Sequence, residues 1–207
     1  MSYTVVFPYI VPSIARPCRE SWAFPAKNVL EVDNSVDNIG IMRSHNLGIN
    51  RMYADRTDWL VVLSAALRFG RRGGLDFIRA LDERPDHHVV EAAGVYGWHL
   101  IAFHRRVIDA VGRWDENFTP YGFDDIDMSL RIYKAFPERQ WEKVPVNCVD
   151  IGMAHSVKDG GVRADVNAQI DYFIAKWGRH PGASEIPTFE TPFDDDLPLS
   201  YWPEYTP

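Results

Sequence analysis

The sequence predicts an α/β domain with a mixed, mostly parallel sheet flanked by helices, and three observations carry that prediction. Short β-rich runs at Thr4 to Phe7, Asn28 to Asp33 and Asp58 to Leu63 are separated by stretches long enough to cross over between parallel strands. The last of these runs, Trp59-Leu-Val-Val-Leu63, is continuously apolar, as suits a central strand covered on both faces. Turn formers follow the strands, with Pro8-Tyr9 after the first and Asp33-Asn34-Ser35 after the second. In such sheets, ligands gather at the carboxyl ends of the strands.

Taken in order, Pro8 ends the first strand and Arg16 to Trp22 reads as a brief helix. In Asn46-Leu-Gly48-Ile-Asn50, Gly48 permits close backbone approach, and Asn46 and Asn50 can cap or bond a ligand. Gly74 to Leu81 is helical, with Leu75, Ile78 and Leu81 on one face. Val89 to Ala93 and Leu100 to Phe103 are strands, and Arg105 to Val111 is a helix. Beyond a turn at Pro120 and Gly122, Ile126, Leu130 and Tyr133 fall at helical spacing, as do Met128 and Ile132. Val144 to Asp150 gives a last strand, and Asp165 to Trp177 an amphipathic helix. Residues 181–207 hold Asp194-Asp195-Asp196, several prolines and five aromatics, and predict an extended arm that packs on the domain or on a second copy in a homo-oligomer.

Composition limits the function classes. At 207 residues, with 46% hydrophobic and 25% charged residues, the chain is long enough for one full core and ordinary for a soluble globular protein. No apolar run approaches the roughly 20 residues that span a bilayer. The N-terminus lacks the basic and apolar regions of a signal peptide, so a cytoplasmic location is expected. A net charge of −7 argues against broad binding to nucleic-acid phosphates. The two cysteines, Cys18 and Cys148, form no CxxC pair and are expected as free thiols.

Asp124, Asp125 and Asp127 open the helix that follows Gly122. Carboxylates in a first turn are favoured by the helix dipole and by free backbone N–H groups, and capping alone accounts for one or two of them. Asp127 and Arg131 are expected to pair one turn apart on a wetter flank. A carboxylate held rigidly beside a cleft can also take a proton from an incoming hydroxyl.

The run Arg105-Arg106-Val-Ile-Asp-Ala-Val-Gly-Arg-Trp114-Asp115-Glu116-Asn-Phe118, followed by Tyr121-Gly-Phe-Asp124-Asp125-Ile-Asp127-Met-Ser-Leu-Arg131, resembles the acceptor-side segment of family 2 glycosyltransferases with the GT-A fold. Val5-Val-Phe-Pro8-Tyr9 resembles the opening strand of that family, and Leu30-Glu-Val-Asp33-Asn34-Ser35-Val-Asp37-Asn38 its Asp-containing second strand end. The resemblance implies a nucleotide-sugar donor and a hydroxyl-bearing acceptor, with inversion at the anomeric carbon. Asp125 would be the general base, Asp124 the close alternative, and Asp127 a residue that orients the site or bonds the acceptor. Pro8, Tyr9, Asp33 and Asn34 would hold the base and ribose, and Asn46, Gly48 and Asn50 resemble the family's loop that enters the helix beneath the nucleotide. Trp98, Trp114 and Tyr121 would line the acceptor cleft. Residues 1–70 would form the nucleotide-binding half and 71–180 the acceptor half.

One departure matters. The family's central strand ends in an acidic motif for a divalent Mn or Mg ion, whereas here it ends Ser64-Ala65-Ala66. Alanine cannot coordinate a cation, and a serine hydroxyl is a poor ligand without a carboxylate beside it. Metal-independent transfer, ligands from elsewhere, and a sugar- or glycan-binding module without turnover all follow from that, and an assembly protein docking through its aromatic arm is a further alternative. Where transfer persists, Ser64, the Arg68, Arg71 and Arg72 loop, Lys158 and His155 would face the diphosphate. His155 resembles the family's C-terminal histidine, a metal ligand in metal-using members. The bland alternatives are a solvated arginine loop, a surface histidine and core tryptophans.

Overall fold

The structure, a computed structural model, describes residues 1–118, 122–138, 140–152 and 166–183. Its main sheet holds β1 (Tyr3–Tyr9), β2 (Val29–Asp33), β3 (Trp59–Leu63), β5 (Val89–Ala93), β6 (Leu100–His104) and β7 (Trp141–Pro145) in the order β2-β1-β3-β6-β5-β7. β1 runs parallel to β2 and β3, and β5 parallel to β7, while β6 is antiparallel to both of its neighbours. A second, two-stranded sheet pairs β4 (Leu67–Phe69) with β8 (Cys148–Asp150) in antiparallel fashion. This is the mostly parallel α/β sheet flanked by helices that the alternating pattern predicts.

Strand alternation sorts the core into two layers. Val5 and Phe7 of β1, with Trp59, Val61 and Leu63 of β3, face one layer, which is closed by α1 (Pro12–Ser21) and α3 (Gly73–Asp82). Val6, Leu60 and Val62 face the other, which also holds Met42, Ile49 and Met52 of α2 (Ile41–Ala54), Val107 and Ile108 of α4 (Arg105–Val111), and Met128, Leu130 and Ile132 of α5 (Asp124–Ala135). Phe173 and Trp177 of α6 (Val166–Trp177) complete that second layer. No helix among the described residues is long and apolar enough to cross a membrane.

Four details differ from the sequence reading. The first strand does not stop at Pro8 but continues to Tyr9, because its ladder to β3 ends at Val6↔Val62 and the N–H that Pro8 lacks would point to that unpaired side, while Tyr9 O accepts from Asn34 N beside β2. The first helix begins at Pro12 rather than Arg16, with a proline in its first turn. The expected strand from Val144 to Asp150 is two strands in two sheets, broken where Asn147 turns its carbonyl to accept from Gly70 N at 2.8 Å. Asn46, Gly48 and Asn50 lie not in a loop but inside α2. Gly48 is there for packing: a Cβ would meet Val6 Cβ at 2.7 Å and Leu60 Cδ1 at 3.1 Å.

Gly48→Ala is therefore expected to destabilise the fold by about 1–3 kcal/mol through overpacking. Urea unfolding checks it, and a variant as stable as the parent would remove the close helix-to-strand contact as the reason for glycine.

Candidate active site

The carboxyl ends of β1 and β2 meet in register, with Tyr9 beside Asp33. Asp33 receives Ser35 N at 2.9 Å, and hydrogen bonds from Ser35 hold its exposed carboxyl below the usual range. The Tyr9 hydroxyl hydrogen-bonds to Asp33, and Arg19 sits over the Tyr9 ring at 5.5 Å while also pairing with Glu31. Asn34 is buried and committed to the fold: its backbone N donates to Tyr9 O at 2.8 Å, and its Nδ2 to Ser44 Oγ at 3.0 Å. Pro8, Tyr9 and Asp33 thus share one strand end, while Asn34 fastens that end to α2.

At the end of β3, Ser64 Oγ accepts from Ala66 N at 3.2 Å. Arg68 is turned inward, and its guanidinium donates to the carbonyls of Ala65, Leu67 and Ile14 at 2.8, 2.7 and 3.0 Å. These backbone carbonyls engage the guanidinium that the resemblance would turn to a diphosphate. Arg71 and Arg72 are exposed. Gly73 and Gly74 begin α3 and are packed, since a Cβ on Gly73 would lie 2.3 Å from Asn147 O, so they do not form a phosphate-cradling loop. Among the described residues no three His, Cys, Asp or Glu side chains come together to hold a metal ion. His155, Lys158 and Tyr121 lie outside the described residues, as does the arm from 184 to 207.

The three aspartates at the start of α5 take different roles. Phe123 precedes the helix in the left-handed region at φ 61°, and Asp124 Oδ1 accepts from Gly122 N at 3.3 Å. Burial, reinforced by the neighbouring Asp125 carboxylate, pushes the Asp124 carboxyl up to about 7. Burial also raises Asp125, whose Oδ1 accepts from Ile126 N at 2.8 Å. Asp127 is fully buried, not on a wet flank. It accepts from Arg131 Nε and Nη2 at 3.0 and 2.8 Å, from Lys176 Nζ at 2.9 Å and from Trp177 Nε1 at 2.8 Å. Every one of those partners is internal, which makes Asp127 a structural residue rather than one facing an acceptor.

Other nominated residues are structural as well. Trp114 is fully buried, edge-on to Phe103 at 5.4 Å and His45 at 4.9 Å, and so cannot stack on an acceptor. Asn46 Nδ2 donates to Trp114 O at 3.0 Å and to Glu116 Oε1 at 2.8 Å, and Asn46 Oδ1 accepts from Trp114 N at 2.9 Å. Asn50 accepts from Arg113 at 2.8 Å. These two asparagines hold the 113–116 segment against α2. Trp98 is half-buried between Phe103 and Trp141. A cleft of about 420 Å³ lined by Met1, Asp58, Trp59 and His104 opens at the opposite end of β3 and touches none of the nominated residues.

One pair escaped the sequence reading. His99 Nδ1 lies 2.7 Å from Asp150 Oδ2, and both side chains are buried, at 6% and 9% exposure. The available signal was positional: His99 precedes one strand and Asp150 ends another.

Comparison with known proteins bears on the fold. No protein-family model and no curated protein matches the chain. Among solved structures it is similar to a mannosyltransferase, PcManGT, from Pyrobaculum calidifontis in complex with GDP-Man and Mn2+, at 13% identity and a TM-score of 0.54. The match covers 76% of this chain and 59% of that one, so the chain spans about three-fifths of the mannosyltransferase's length. A glycosyltransferase involved in glycosylation of the major capsid of PBCV-1 aligns at 14% identity over 78% of this chain and 98% of its own, with a TM-score of 0.40. The architecture is that of a GT-A-like Rossmann fold.

Two measurements test the aspartates. Asp127→Asn leaves Arg131 and Lys176 short of a buried counter-charge and is expected to cost about 3–5 kcal/mol in urea unfolding at neutral pH. For Asp124, folding raises the pKa from 3.8 to about 7, so the native state holds the proton more tightly and stability falls as pH rises through that window. Asp124→Asn escapes this loss and should gain on the parent by about 4 kcal/mol between pH 4 and pH 8. An equal stability difference at both pH values would contradict the buried, proton-holding carboxyl.

Proposed function

We propose that the chain is a glycosyltransferase that moves a sugar from a nucleotide-sugar donor to an acceptor hydroxyl, with Asp125 as general base. What carries the proposal is the pair of adjacent carboxylates at the start of α5, on a sheet similar to that of a solved mannosyltransferase. Burial and the Asp125 carboxylate push the Asp124 carboxyl up to about 7, which favours Asp124 as the member holding a proton, and Asp125 is assigned the accepting role. The acceptor oxygen attacks the anomeric carbon from the face opposite the leaving diphosphate, its proton passes to Asp125, and the configuration inverts. Asp124 shares its proton with the same oxygen and orients it.

On the donor side, the ionised Asp33 accepts from ribose hydroxyls or a base N–H, and the Tyr9 ring offers a face to the base, with Pro8 behind it. Arg71, Arg72, His155 and Lys158 are proposed to face the diphosphate. PcManGT was solved with Mn2+, but Ser64-Ala65-Ala66 supplies no carboxylate, and the donor set among the described residues does not fit a divalent ion. No step is therefore routed through a metal. A second reading, a nucleotide-sugar or glycan-binding module without turnover, is favoured by that same Ser64-Ala65-Ala66 end.

Transfer or slow donor hydrolysis, assayed over a panel of nucleotide sugars, separates the two. Asp125→Asn is expected to lower the rate by about 10²–10⁴-fold while donor affinity stays within a few-fold of the parent. Binding by the parent without turnover of any donor would support the module instead.

A further inference from the structure

We propose that Tyr96 is the platform on which a carbohydrate acceptor stacks, so that the hydroxyl receiving the sugar belongs to another sugar; this rests on the glycosyltransferase reading above. Among the described residues Tyr96 is the only exposed Phe, Tyr or Trp, at 68% exposure. It belongs to the turn that joins β5 to β6. That turn lies at the carboxyl end of the parallel strands: Leu100 pairs with Leu63 at the end of β3, and Ser64 N donates to His99 O at 2.8 Å. Tyr9 and Asp33 end their strands on the same side, where ligands of α/β sheets collect.

The acidic helix reaches toward the same end. Phe136, next after α5, stacks on His88, just before β5, with ring centroids 4.1 Å apart, so α5 finishes at the amino end of the parallel strands. A helix of 12 residues is about 18 Å long, enough to carry its first turn, with Asp124 and Asp125, back to the carboxyl end. Trp98, the aromatic of the β5–β6 turn that the resemblance assigns to the acceptor, packs inward on Phe103 at 5.2 Å and Trp141 at 6.0 Å. Tyr96, two residues earlier, is the ring left facing solvent.

That ring stands on a rigid base. Asp150 Oδ2 accepts from Tyr96 N at 2.7 Å, and Asp150 is itself fixed by Gly152 N at 2.8 Å and by the His99 ring at 2.7 Å. His99 N donates to Tyr96 O at 3.2 Å, and the two rings meet edge-on at 5.8 Å. Gly94 and Gly97 flank Tyr96 at φ 79° and 48°, and a Cβ on either would meet nothing within 4 Å, so the space around the turn is open. An aromatic held in water by a fixed backbone loses little freedom when a ligand covers it. The ring selects a sugar by its own chemistry: its apolar face covers the C–H face of a pyranose, while the phenol oxygen exchanges hydrogen bonds with hydroxyls at the rim. A serine or threonine side chain offers no such flat face.

The test uses the full chain and the nucleotide sugar that the parent turns over. Methyl glycosides of glucose, galactose, mannose, rhamnose and N-acetylglucosamine are offered as acceptors, beside a serine- and threonine-containing peptide and a long-chain alcohol. At least one glycoside is expected to receive the sugar. Tyr96→Ala is expected to raise the KM for that glycoside by about tenfold or more, with the donor KM within a few-fold of the parent, whereas Tyr96→Phe and Tyr96→Trp keep a ring and hold the glycoside KM near the parent value. Donor turnover with no glycoside accepted, or an equal glycoside KM in the parent and Tyr96→Ala, overturns this inference and leaves the glycosyltransferase reading standing. A parent that turns over no nucleotide sugar removes that reading, and this inference with it.

Discussion

The site depends on a buried ion cluster. Lys176 is fully buried, and its ammonium bridges two carboxylates, Asp115 at 2.8 Å and Asp127 at 2.9 Å. Arg131 neutralises Asp127 from the other side and donates to the carbonyls of Val111 and Arg113, each at 2.7 Å. Tyr172 adds a hydrogen bond to Asp115 at 2.6 Å. Two anions and two cations are thus taken out of water together, which is tolerable only because each is paired and hydrogen-bonded. The cluster joins α5, α6 and the segment from Val111 to Asp115, so the first turn of α5 has a fixed direction. Whatever Asp124 and Asp125 do, they do it from an element that cannot swing.

The outline of the fold was legible because it rests on apolar runs. Trp59 to Leu63 reads as a buried central strand from its unbroken apolar run alone. Other features could not be read from spacing. In α2, Asn46, Gly48 and Asn50 mimic a loop by composition, yet tertiary contacts to Val6, Trp114 and Arg113 settle them into a helix. Turn formers mark where a chain can bend; they do not say whether packing will require it. The break between β7 and β8 escaped notice for the converse reason, since Val146-Asn147 interrupts a run whose β propensity is unbroken.

The candidate site was legible to the same unequal degree. Tyr9 and Asp33 could be placed at the ends of the first two strands because strand ends are visible in sequence, and parallel pairing brings the two side by side. The motif around Trp114 drew attention as a cleft, whereas its aromatic and its acids are spent on the core and on Asn46 and Lys176. His99 and Asp150 stand 51 residues apart and meet only because β4 pairs with β8 and β3 with β6. No periodicity encodes a contact made by two sheets.

Helical geometry explains why three neighbouring aspartates end in different states. Asp127 lies three positions beyond Asp124 and turns inward to Arg131, Lys176 and Trp177, so its charge is compensated and it contributes only a minor push on Asp124. Asp125 has no cation among its described contacts and is the nearer repulsive neighbour, so Asp124 holds its proton chiefly against burial and against Asp125. Arg131 and Lys176 together compensate Asp127, which leaves Asp124 and Asp125 as the two carboxylates that repel one another at the start of α5.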